Sequence, residues 1–166
     1  MDLVGAGIPR TVRERKQAGT QTTRTWLRQS YLELAAMASA VPWARRHVRL
    51  VLSDWGLPAL ADPAEQIVSE LMTNAVAATY GLVGSRFSGR SSAGTPPVRL
   101  WLVTDEQQVL MQVWDGSERM PEPSDLDPEG EHGRGLWLVN ALSKDWGAFR
   151  PAHASGKVTW AAVAKP

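Results

Sequence analysis

The sequence predicts an α+β fold, a two-layer sandwich with helices packed on one face of a mostly antiparallel mixed sheet. Three observations carry that expectation. Residues 65–80 repeat apolar side chains at helical spacing. Residues 98–113 alternate apolar and other side chains in two short runs about a turn. The segments follow one another as strand, helix, helix, two strands, long loop, helix and two strands.

Taken in order, residues 1–24 have little hydrophobic periodicity and are rich in Thr, Gln, Arg and Gly. They are expected to form a flexible tail, which leaves 25–166 as the folded domain. Residues 1–30 carry Arg10, Arg13, Arg15, Lys16, Arg24 and Arg28 against Asp2 and Glu14, although the whole chain is nearly neutral at +1. A basic tail can touch nucleic acid or an acidic partner, but it is more often simply solvated. No motif that reads bases accompanies this one, so nucleic acid is not an expected partner.

Trp26–Met37 alternates enough, with Tyr31 and Glu33 against Leu32 and Leu34, for a first strand. Pro42 opens a helix that keeps Ala44, Val48, Val51, Leu52 and Trp55 on one face and ends at Gly56 and Pro58. The central helix, Glu65–Tyr80, follows, with Asp62 as N-cap, Pro63 at the first helical position and Glu65 as a capping-box acid. Ile67, Val68, Leu71, Met72, Ala75, Val76 and Thr79 form its buried stripe.

Residues 81–97 contain four glycines, four serines and two prolines and read as a flexible loop. Val98, Leu100 and Leu102 begin a hairpin that turns at Thr104–Gln107 and returns through Val109, Met111 and Val113 to Asp115 and Gly116. Residues 117–133 are acidic and rich in proline, long enough for a lid. Leu136–Asp145 is a helix, Trp146–Arg150 a short strand, His153–Lys157 a turn and Val158–Val163 the last strand.

Composition narrows the chemistry. With no cysteine, disulfides and thiolate metal sites are excluded, and His47, His132 and His153 lack zinc spacing. The eight tryptophans sit singly on apolar faces and read as packing. No apolar run reaches membrane length and no signal-peptide core is present, so a cytoplasmic protein without a membrane partner is expected.

Glu70 and Asn74 lie one helical turn apart, just off the edge of the central stripe, and can address one site beside the core. Such a pair alone is most often two solvated neighbours. Two later pieces change its weight: VWDGS at 113–117 and GRGLWLV at 133–139, after ELMTNA at 70–75. Each is weak alone. In this order and on these elements they resemble the N, G1 and G2 boxes of the Bergerat-fold (histidine-kinase-like) ATPases. Within that superfamily the chain is most similar to the small bacterial anti-sigma-factor serine kinases. The resemblance covers about Trp26–Ala164.

The resemblance implies ATP and Mg²⁺ as cofactors and assigns roles residue by residue. Asn74 would lend its amide oxygen to Mg²⁺, which prefers hard oxygen ligands. Glu70 would be the general base for a water or a substrate serine hydroxyl. Asp115 would accept a hydrogen bond from the adenine amino group, with Gly116 letting the base approach. Gly133, Arg134, Gly135 and Leu136 would hinge the lid and bring the next helix N-terminus to the phosphates. Thr159 would place a hydroxyl behind the adenine. Where the wider family usually has a glycine two positions after the aspartate, this chain has Ser117. The 81–97 loop is also longer than small members need.

The implied function is an ATP-dependent serine protein kinase that phosphorylates a small antagonist protein of the anti-anti-sigma type and sequesters a sigma factor or similar regulator. A homodimer is in keeping with that resemblance. The competing reading, from a different class, is a non-catalytic interaction module in which nucleotide at most fixes the partner surface.

Overall fold

The computed structural model describes residues 25–80, 94–121 and 134–166. The expectations for the 1–24 tail, and for most of the 81–97 loop and the 117–133 lid, lie outside the described residues. Five strands form one sheet: β1 (Arg28–Ala35), β2 (Pro97–Thr104), β3 (Gln108–Asp115), β4 (Asp145–Phe149) and β5 (Lys157–Ala164). Their spatial order is β1-β2-β3-β5-β4. Every pairing is antiparallel, so the described sheet is not mixed.

Helices α1 (Ala40–Asp54), α2 (Ala61–Tyr80) and α3 (Arg134–Leu142) cover one face. Period-two alternation decides which side chains they cover. Val98, Leu100 and Leu102 of β2, Val109, Met111 and Val113 of β3, and Ala161 and Val163 of β5 enter the helix-facing core. There they meet Ala44, Val48 and Leu52 of α1 and the whole expected stripe of α2. Ile67, Leu71 and Met72 are fully enclosed, and truncating any of them to Ala should cost about 2–5 kcal/mol.

Local expectations change at the helix ends: α1 opens at Ala40 rather than Pro42, and Pro63 is the third residue of α2, not the first. Asp62 is not an N-cap, because the one-turn 3-10 helix Pro58–Leu60 runs straight into α2 and helical backbone already precedes it. Asp62 is instead a first-turn acid, where negative charge still suits the helix dipole. Glu65 makes no capping box; it is buried, and its carboxylate pairs with Arg49 of α1. Finally, α3 stops at Leu142 rather than Asp145. The Lys144 N–H donates to the Ala162 carbonyl (2.8 Å), which draws the chain onto the sheet edge and starts β4 at Asp145.

The end of α1 is as expected. Gly56 takes φ +72°, its N–H donates to the Ser53 carbonyl and the Leu57 N–H to that of Leu52, a Schellman closure. On the face away from the helices, register aligns Tyr31, Trp101, Gln112, Trp160 and Gly147 in one row across all five strands. Both amide atoms of Gln112 are buried there, and among the described residues they have no hydrogen-bond partner.

Candidate functional site

The predicted residues gather in two groups on the helix-covered side. The first forms where α2 meets α3. Glu70 is half-buried and Asn74, one turn further along α2, is exposed. α3 starts at Arg134, and Gly135 in its first turn backs directly onto Glu70. A Cβ built on Gly135 would lie 2.5 Å from Glu70 Oε2, so any side chain there would displace the carboxylate. Leu136, next in the helix, is buried. Gly133 lies outside the described residues, as does the side chain of Arg134.

The second group forms at the end of β3. Asp115 is only 2% exposed, because β3 runs between β2 and β5 under α2. Its Oδ1 accepts the Ser117 N–H (2.8 Å), closing a turn through Gly116, and also accepts from Lys157 Nζ (2.9 Å). Ser117 thus contributes through its backbone. Its side-chain oxygen accepts the Arg119 N–H at 3.3 Å and continues the turn. Burial pushes the Asp115 carboxyl above the ordinary carboxylate value; Lys157 and the Ser117 N–H pull it back without cancelling the shift.

Lys157 was not among the residues singled out from sequence, where it stood at the end of a turn. It is the first residue of β5, directly opposite Asp115 in register. Its position was nevertheless legible: Lys157, Thr159, Ala161 and Val163 occupy alternate places on the core-facing side of a strand, where a lysine is out of character.

Gly156, just before it, takes φ +86°, and a Cβ there would run into the Asp115 carbonyl oxygen. The left-handed glycine beside Asp115 is therefore Gly156, not Gly116. Trp114 Nε1 donates to the Ser155 carbonyl (2.9 Å), and Arg99 stacks 4.5 Å above the Trp114 ring. The turn into β5 is thus held from both faces of β3. Thr159, also buried, lies one pleat beyond Lys157 on the same face.

Among the described residues no group of three His, Cys, Asp or Glu side chains forms a metal cage. Asn74 offers an exposed neutral oxygen, which suits a Mg²⁺ ion that takes its other ligands from phosphates and water. No described helix is long and apolar enough to cross a membrane.

A search of the curated proteins finds no match. A family model described as a histidine kinase-like ATPase domain matches residues 34–162, from within β1 into β5. The α+β architecture, with its helices on one face of an antiparallel sheet, is that of the same fold. By a match that spans most of its length, the chain belongs to the histidine kinase-like ATPase domain family.

Proposed function

We propose that the protein is an ATP-binding regulatory kinase, which transfers phosphate from ATP to a serine of a small antagonist protein and sequesters a transcription regulator such as a sigma factor. ATP binding with Mg²⁺ is the general property of the family. The observation that supports catalysis is the Glu70 carboxylate set against the first turn of α3 at Gly135. The N–H groups and dipole of that turn favour phosphate oxygens, and a carboxylate beside it can take the proton of an attacking hydroxyl.

In this reading Asp115, with Gly116 at its side, receives the base, Thr159 lies behind it, and Asn74 holds Mg²⁺. Gly133, Arg134, Gly135 and Leu136 would bind the phosphates, with Gly135 and Leu136 in the first turn of α3. Bound ATP supplies the transferable phosphoryl group; the chain supplies the base, the orientation and exclusion of water.

A non-catalytic interaction module is the second reading, and it draws on the exposed Trp43 and Leu50 of α1 and Trp137 of α3. Glu70→Ala separates the two. The kinase reading expects retained ATP binding with transfer from γ-labelled ATP to protein serine reduced by roughly 100-fold or more. Wild-type protein that binds ATP and captures its partner, yet transfers no label, would favour the module.

A further inference from the structure

Asp115 and Lys157 form the one ion pair, among the described residues, in which both side chains are nearly fully buried, 2% and 9% exposed. Such a pair is costly to desolvate, and a well-packed apolar pair would hold the strands as well or better. Its surroundings aim it. Gly156 lets the turn press against the Asp115 carbonyl, Trp114 grips Ser155, and β3–β5 register sets Lys157 opposite the carboxylate. Both donors fall on Oδ1, and among the described residues Oδ2 accepts no hydrogen bond.

Among the described residues no other charge competes for this carboxylate. Arg99 of β2 lies over Trp114 on the opposite face, Glu65 of α2 pairs with Arg49, and Glu70 of α2 abuts Gly135. Lys157 is the one charged group of β5 that acts on it.

An ionised carboxylate only accepts hydrogen bonds, whereas a protonated one also donates. A buried carboxyl without its cation drifts toward the protonated form. At purine C6 the two forms favour opposite groups: the first an amino donor, the second an oxo acceptor.

We propose that Lys157 is a positioning residue that sets base selectivity. It keeps Asp115 an acceptor and turns Oδ2 toward the site, so that a 6-amino purine is taken and a 6-oxo purine rejected. This rests on the reading that the site binds ATP. It adds to that reading a residue outside the three sequence motifs that first pointed to the site.

The test is titration of Mg-ATP and Mg-ITP, which differ at C6 and in the proton that hypoxanthine carries on N1, into the full chain and into Lys157→Met and Lys157→Arg, at about pH 6.5 and about pH 7.5, both below the range where that N1 proton is lost. The wild type should prefer ATP by at least ~10-fold, with a ratio that does not change between the two pH values. Lys157→Met should lose roughly 10-fold in ATP affinity at the lower pH, regain much of it at the higher, and shift the ATP:ITP ratio toward ITP. Lys157→Arg should keep the wild-type ratio. Equal losses for both nucleotides in Lys157→Met, with an unchanged ratio, would overturn the proposal and leave Lys157 a structural residue. Should Lys157→Met fail to fold, the wild type still decides: a ratio that varies with pH shows that Lys157 does not hold the acceptor form. Wild-type protein that binds neither nucleotide refutes the ATP reading itself, a different result from either.

Discussion

At Gly135 a single methyl group would compete with Glu70 for space, and the outcome separates stability from chemistry. The clash falls on the far end of a flexible side chain, so Glu70 can swing away at little cost. Alanine also gains up to ~1 kcal/mol of helix propensity over glycine. Gly135→Ala should therefore melt within a few degrees of the wild type; under the proposed kinase function, with Glu70 as general base, it should also lose roughly 10-fold or more in phosphotransfer. A paired thermal melt and phosphotransfer assay reads both.

The Asp115 carboxyl carries a pH dependence of its own. Its folded-state pKa is raised, so its ionised form at neutral pH weakens folding; its contribution to stability is full below the ordinary carboxylate pKa and lost as pH rises through the raised one. Acidification through that window should stabilise the wild type relative to Asp115→Asn, measured by denaturant unfolding at several pH values. ATP affinity should move the opposite way, falling as the acceptor is protonated.

Among the elements, the turn into β5 carries the sharpest constraint. Gly156→Ala would force a residue with a Cβ into φ +86° and against backbone rather than a mobile side chain, and should destabilise by about 1–3 kcal/mol. Nucleotide affinity should fall with it, because the turn aims Lys157. On the other face of β3, Gln112 is enclosed, and among the described residues its amide has no partner. Gln112→Leu removes that desolvation penalty at similar volume and should stabilise by about 1–3 kcal/mol, with nucleotide affinity unchanged.

These elements also show how far the sequence could be read. The α2 stripe and the β2–β3 hairpin were legible because burial on one face leaves a periodic trace. Asp62 misled because a good N-cap residue cannot reveal that Pro58–Leu60 is already helical. Glu65 was read locally, whereas its partner Arg49 comes from α1. The Asp115–Lys157 pair spans 42 positions and exists only through β3–β5 register, which no local motif encodes.

For the whole molecule, one helix layer on one sheet brings two sets of polar residues, separated in sequence, to the helix-covered side. One is the α2–α3 junction with Glu70 and Gly135; the other is the β3–β5 end with Asp115 and Lys157. The three sequence motifs include Asp115 but not Lys157, the lysine that pairs with it. The central claim is that these groups form one nucleotide site. Calorimetric titration of Mg-ATP into the wild type and into Asp115→Asn, both checked for folding by circular dichroism, tests it most directly. Saturable binding by the wild type, weakened by roughly 10-fold or more in the variant, is the predicted result. A folded wild type that binds no ATP even at about millimolar concentration, the weak end of measurable affinity, would contradict it.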